Sequence, residues 1–410
     1  MNILHINNYY KKGGAEVVFS ITSLIHRHKN YVGYYTEDND LLKPDINFSS
    51  WESNYFPFNI FNYIFSLNNY RALRKFLKKT NIDIIHLQGF FSSLSPSILL
   101  AIKKTRTEKK IRVIQTLHEF HLICPNASLY NFKKNEICEK CIGKKIKFSI
   151  LRENCDKRGI FYSTIKGMRS FLANNMLNHN KVIDVFISPS NFLREKIIDD
   201  GVNTEKITVI PNPIRINALN EIEKKEEIIC YFGRFSYEKN IPFLISAFSK
   251  WKKNNPNNYK LLLIGDGDEY KKILEAIKNS GFSNFIEVKP FLDYKDLMAE
   301  LKRCKIFSIA SLCYENSPLG IAEAIALNII PVAPSLGGMK ESIEQRFKAG
   351  KTFISNDESS WINCINYIIN NYEDELRKIV FAKENIFEQY SIEKYYESLN
   401  KLYNKIINQI

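Results

Sequence analysis

Short runs of β-forming residues alternate with helix-forming stretches along this 410-residue chain, and the whole alternation is played twice. Such a rhythm calls for parallel sheets built from β-α-β units, because parallel neighbours need a long crossover. The first series opens with NILHINNYY, followed by Gly13-Gly14 and an apolar-periodic helical stretch from Ala15 to about Lys29. DIIHLQ (83–88), IRVIQTL (111–117), VFISPS (185–190) and KITVI (206–210) continue it as strands. A polar stretch that begins with Pro211 and Pro213 interrupts the pattern. IICYFGRF (228–235), YKLLLIGDG (259–267), NFIEVKPF (284–291), KIFSIASL (305–312) and IIPVAPS (329–335) then restart it.

A chain of this length exceeds what one hydrophobic core usually supports. The expectation is therefore an α/β protein of two Rossmann-like, doubly wound domains facing one cleft. The first spans 1–212, a linker covers 213–227, and the second spans 228–378. A helical tail, 379–410, is expected to pack back on the first domain.

The opening residues lack the basic and apolar regions of a signal peptide. The best apolar window, FPFNIFNYIFSL (56–67), is too short and too broken by asparagine to span a bilayer. A cytoplasmic location follows as the expectation, with attachment to the cytoplasmic face of a membrane as an extension of it. The formal charge of +14 is uneven: residues 1–212 hold 31 Lys and Arg against 18 Asp and Glu. Such asymmetry points to an anionic partner, or else to a Lys-rich surface that only aids solubility. Segment 51–79 joins aromatic residues to a basic end (Arg71, Arg74, Lys75, Lys78, Lys79), which suits an anionic membrane surface or a solvated helix face.

The chemistry concentrates in the second half. In YENSPLGIAEA (314–324), Glu315 and Glu323 are eight residues apart, the first in the loop after a strand and the second inside the next helix. Ser317 is a natural N-cap and Pro318 suits the first turn. A helix N-terminus binds phosphate, and nearby carboxylates accept hydrogen bonds from sugar hydroxyls. In GRFSYEKN (233–240), Arg234 and Lys239 sit between a strand and a helix, where two cations can neutralise a diphosphate leaving group. Each element alone is also compatible with an ordinary solvated surface.

Together, G-R-F…E-K-N followed by E-x7-E resembles the retaining glycosyltransferases of family 4, the group 1 enzymes of the GT-B fold. KKGGAE (11–16), VIPNP, IGDGDE (264–269) and GGMKE (337–341) extend the resemblance over nearly the whole chain. It implies transfer of a sugar from a UDP- or GDP-sugar to a glycan or polyprenyl-diphosphate-linked acceptor, with retention of configuration, in surface-polysaccharide synthesis. No cofactor is implied for catalysis, and no nucleic acid. It further implies that Glu315 contacts the donor sugar, Glu323 the ribose, and Arg234 with Lys239 the diphosphate. Leu319 and Gly14 would complete the donor contacts. His118, just beyond a strand in TLHEFHLICP, would position the sugar by a hydrogen bond. Asn316-Ser317-Pro318 departs from the small glycines many relatives carry, which sets the sugar pocket apart. Other GT-B enzymes are the alternative, but nucleotide-sugar epimerases lack this Arg/Lys with E-x7-E pairing, and the cofactor-lysine pattern a phosphorylase would need is not found here.

Cys124, Cys138, Cys141 and Cys155 form C-x13-C-x2-C-x13-C in a Lys-rich insertion, 121–158. Structural zinc, unpaired structural thiols and a redox pair are the three readings. With the basic charge they also suggest a zinc-containing nucleic-acid-binding protein, a reading that leaves the second half unexplained. Cys230, Cys304, Cys313 and Cys364 lie among apolar residues and read as core.

Overall fold

A computed structural model describes residues 1–10, 13–36, 43–53, 57–215 and 224–408. Lys11 and Lys12 of the glycine loop, residues 216–223 of the expected linker and residues 54–56 of the aromatic segment lie outside the described residues. The chain divides into two compact units, Met1–Pro213 with Ile392–Ile410, and Ile214–Ser391.

The first unit contains β1 (Asn2–Ile6), β2 (Lys29–Tyr34), β3 (Ile46–Asn47), β4 (Ile84–Leu87) and β5 (Arg112–Thr116). Further on come β6 (Tyr130–Asn131), β7 (Glu136–Ile137), β8 (Val185–Ser188) and β9 (Ile207–Val209). β6 and β7 form a small antiparallel hairpin; the others make one parallel sheet in the order β3-β2-β1-β4-β5-β8-β9. The second unit carries β10 (Ile228–Phe232), β11 (Lys260–Ile264), β12 (Ile286–Lys289), β13 (Ile306–Ser308), β14 (Ile330–Pro334) and β15 (Lys351–Phe353). They form a second parallel sheet in the order β12-β11-β10-β13-β14-β15. Both orders reverse direction beside their first strand, which is the doubly wound arrangement. Strands covered by helices on both faces read as unbroken apolar runs, and β4 and β14 are buried at every residue.

The final helix, Ile392–Ile407, belongs to the first unit, whereas the helix before it, Tyr372–Tyr390, runs through the expected boundary at 378/379 and belongs to the second, so only 392–410 of the expected tail 379–410 joins the first unit. Tyr403 Oη lies 2.7 Å from His86 Nδ1 at the centre of the first sheet, and His86 Nε2 lies 2.8 Å from Thr116 Oγ1. Tyr395 Oη meets Thr22 Oγ1 at 2.8 Å, and Tyr396 Oη donates to the Ile21 carbonyl at 2.7 Å. Burial pushes the His86 imidazole well below its ordinary pKa, so it enters this network neutral.

Two elements differ from the sequence reading. The first helix runs Gly14–Ser23 and stops well before Lys29, because Lys29 opens β2 opposite Asn2. The strand read as 305–312 ends at Ser308, after which the chain leaves the sheet to bond Leu312 N to the Glu238 carbonyl at 2.9 Å. That departure builds the site.

Candidate active site

In the second unit, Arg234 and Lys239 follow β10, and Glu315 lies in the loop after β13. These are the carboxyl ends of the two strands that flank the point where the sheet order reverses, the usual ligand site of a doubly wound sheet. The loop after β10 is seated on the one after β11: Gly233 N donates to Ile264 O at 3.0 Å and Phe235 N to Asp266 O at 2.8 Å. Their approach is so close that a Cβ on Gly265 would stand 1.9 Å from the Gly233 carbonyl oxygen. Glycine there is a packing requirement.

Lys239 Nζ donates to Glu315 Oε1 at 2.8 Å, and Ser311 Oγ donates to the same oxygen. Burial works against the Glu315 charge, but the Lys239 ammonium and these two hydrogen bonds outweigh it and hold the carboxyl below its ordinary pKa. Lys239 is pushed up in turn: burial opposes its charge, and Glu315 more than compensates. Both therefore remain ionised at neutral pH. Arg234 is exposed, and its guanidinium makes no hydrogen bond or ion pair among the described residues. The arrangement thus holds one cation fixed against a carboxylate and a second free to meet an anion.

The helix after Glu315 spans Leu319–Ala326, with Pro318 as N-cap and no side-chain cap. The expected cap, Ser317, does not serve: Pro318 stays extended at ψ 110°, and Ser317 Oγ accepts from Arg346 Nη1 at 3.4 Å. The first-turn amides at Leu319 and Gly320 thus lack a side-chain acceptor, as an anion-binding helix terminus requires. The loop is clamped by Gly338, whose N donates to the Glu315 carbonyl at 2.7 Å. A Cβ on Gly338 would fall 2.0 Å from Asn316 O. One turn into the helix, burial raises the Glu323 carboxyl to about 7, with Arg215 pulling the other way; Tyr294 also feels its charge. Ser311, Gly338, Arg215 and Tyr294 escaped the sequence reading. Only Gly338 carried a signal, in the GGMKE segment.

In the first unit, Gly14 is exposed at the start of Gly14–Ser23, with Gly13 as N-cap and no side-chain cap. His118 follows β5, and its Nε2 lies 2.9 Å from Gln88 Oε1 beyond β4. Burial lowers its pKa to about 4 although Glu119 opposes this, so the ring is neutral. With Gln88 Oε1 accepting, the proton sits on Nε2. Glu119 pairs instead with His121 Nδ1 at 2.6 Å, and His121 stacks on Phe91.

The cysteine insertion folds around the β6–β7 hairpin, where Cys138 N donates to Leu129 O at 2.8 Å. Burial pushes the Cys124 thiol up, opposed by the nearby backbone of Leu129, Asn126 and Ser128. Burial, reinforced by the neighbouring thiols, pushes Cys141 and Cys155 up to about 12. All four are free thiols. Among the described residues no group of three or more His, Cys, Asp or Glu side chains is arranged to hold a metal ion, so the zinc reading gains no support from their arrangement. Cys230, Cys304 and Cys313 are buried as expected, and Cys364 is half-buried. No helix among the described residues is long and apolar enough to cross a membrane.

Comparison with known proteins identifies the family. The family model for Glycosyltransferase Family 4 matches residues 12–218, and that for Glycosyl transferases group 1 matches residues 215–385. The N-acetyl-alpha-D-glucosaminyl L-malate synthase of Bacillus anthracis is 21% identical over 80% of this chain and 76% of its own. The capsular polysaccharide biosynthesis glycosyltransferase CapH of Staphylococcus aureus is 27% identical over 50% of this chain and 58% of its own. Among solved structures, Anabaena HepE in complex with UDP shares the fold at a TM-score of 0.68 and 16% identity, covering 99% of this chain and 100% of that one.

Proposed function

Since the chain belongs to the group 1 glycosyltransferases of family 4, we propose that it moves a hexose from a UDP- or GDP-sugar to a glycan or lipid-linked acceptor, with retention of configuration, in surface-polysaccharide assembly. The observation that carries this reading is the Lys239–Glu315–Ser311 cluster beside the free Arg234 guanidinium, next to an uncapped helix start. A capsular relative and a UDP-bound structural neighbour favour the polysaccharide setting and a uridine nucleotide.

In this reading Arg234, Lys239 and the Leu319–Gly320 amides take the diphosphate, where negative charge grows as the glycosidic C–O bond breaks. The ionised Glu315 accepts hydrogen bonds from hydroxyls of the transferred sugar, and Glu323 from the ribose. The acceptor oxygen bonds to the anomeric carbon on the face the phosphate leaves, and its proton passes to the departing phosphate oxygen. Retention follows from that geometry. For the first unit we keep the roles implied by the resemblance: a sugar-hydroxyl contact for His118 and close backbone approach for Gly14. Structural zinc at the four cysteines rests on their spacing alone. Elemental analysis finding about one zinc per chain would establish it, and metal-free protein with four titratable thiols would remove it.

Incubation with a panel of nucleotide-sugars tests the main reading. Slow hydrolysis of one UDP- or GDP-sugar, persisting in EDTA, is the expected result. Binding of none of them would overturn the assignment.

A further inference from the structure

The first unit carries an apolar surface that its own core does not use. Phe58 and Phe61, on the helix Phe58–Ile64, are 67% and 66% exposed. They do not continue along the next helix, Leu67–Lys79, which turns Leu73 and Leu77 into the core and ties Arg74 to Glu108 at 2.7 Å. The basic end of that helix is a solvated, partly paired face.

The exposed aromatics continue instead onto the helix Ile160–Phe171 and the wide turn Leu172–Met176 that extends it. The two elements are in contact, with the Arg169 guanidinium 4.1 Å from the Tyr63 ring centre and bonded to Phe91 O at 2.6 Å. Residues 160–176 bury Ile165 and Ala173 on one side yet expose Phe161, Met168, Phe171 and Met176 on the other. A helix at a water-facing surface normally shows a polar outer face; one apolar on both sides is covered by something.

Positive charge rims this face. Asn175 Nδ2 donates to the Lys145 carbonyl at 2.9 Å, which places the exposed Lys144 and Lys145 beside Met176. Lys157 stands exposed at the other end, just before Ile160, next to Arg158, whose guanidinium is paired with Asp156 at 3.0 Å. Within 121–158, nine basic residues face four acidic ones.

We propose that this face, Phe58 and Phe61 with Phe161, Met168, Phe171 and Met176, docks the first unit on an anionic lipid bilayer. Aromatic and methionine side chains enter the headgroup boundary while the flanking lysines meet lipid phosphates. A second copy of the chain fits less well. A two-fold contact pairs a patch with itself and would bring these lysine rims together. The inference stands apart from the donor-site reading, and its test contains neither donor nor acceptor.

Full-length protein is floated with phosphatidylglycerol-containing vesicles and, separately, with pure phosphatidylcholine vesicles. Binding to the anionic vesicles that fades as salt rises is the expected result. Phe161→Ser with Phe171→Ser, and separately Lys144→Glu with Lys145→Glu, should each weaken it by roughly tenfold or more. Unchanged thermal melting and far-ultraviolet circular dichroism in the same variants show that they fold. Wild-type protein that ignores anionic vesicles at low salt overturns the proposal, as does a phenylalanine pair variant that binds them normally. A wild-type dimer dispersed by the phenylalanine changes, with vesicle binding intact, assigns the face to a second copy instead.

Discussion

Lys239 and Arg234 are both cations at one strand edge, but they are prepared differently. Lys239 is already fixed on Glu315, whereas Arg234 points outward without an ion pair among the described residues. Replacing either by alanine is expected to lower turnover by roughly 10²–10³, the usual cost of removing a donor aimed at developing charge. Steady-state rates check this, and wild-type rates in both variants would dissolve the donor site. Glu323 offers a pH signature. Burial raises it from its ordinary 4.5 to about 7, so between those values the folded protein keeps a proton that the unfolded chain has lost. Stability should therefore fall as pH climbs through that window, and Glu323→Gln should flatten the fall. If ribose hydroxyls bond the carboxylate, nucleotide binding releases that proton and tightens as pH rises through 7. Calorimetry in two buffers of different ionisation heat reads the release; an identical pH slope in Glu323→Gln would contradict the assignment.

At the scale of elements, the site depends on a loop that leaves β13 early and is clamped from behind. Gly338→Ala would drive a methyl into Asn316 O, so the loop or the Gly337–Lys340 helix must move. A loss of about 1–3 kcal/mol, the usual cost of overpacking, and weaker nucleotide binding are expected from thermal melts and titration. An unchanged Tm would show that the clamp gives freely. The same elements show what a sequence discloses. Alternation and apolar runs marked the buried strands, and E-x7-E with the Arg…Lys loop marked the residues gathered at β10 and β13. Ser311 was hidden inside a run read as strand, because the strand end depends on Leu312 reaching across to Glu238. Ser317 looked like a cap because local spacing cannot reveal that Pro318 stays extended. β2, KNYVGY, was missed since its polar residues alternate weakly and only its pairing with β1 fixes it.

Across the whole chain, two sheets of the same winding are each completed by sequence far from their first strands. The last helix supplies Leu399, Leu402 and Tyr403 to the first unit's core. Ending the chain at Ser391 is expected to unmask that core, to leave His86 without Tyr403, and to lower the melting of the first unit; melting as in the full chain would argue against it. The basic first half and the carboxylate-bearing second divide the chemistry, with the donor diphosphate assigned to Arg234, Lys239 and the Leu319–Gly320 amides of the second unit. The most direct test is a calorimetric titration of uridine diphosphate, then guanosine diphosphate, into wild-type protein and the Arg234→Ala/Lys239→Ala double variant, with EDTA present. One nucleotide should bind the wild type, and the double variant should lose at least tenfold in affinity while melting as a folded protein. Equal affinity in the two proteins, or no binding of either nucleotide to the wild type, would contradict the placement of the donor site on these residues.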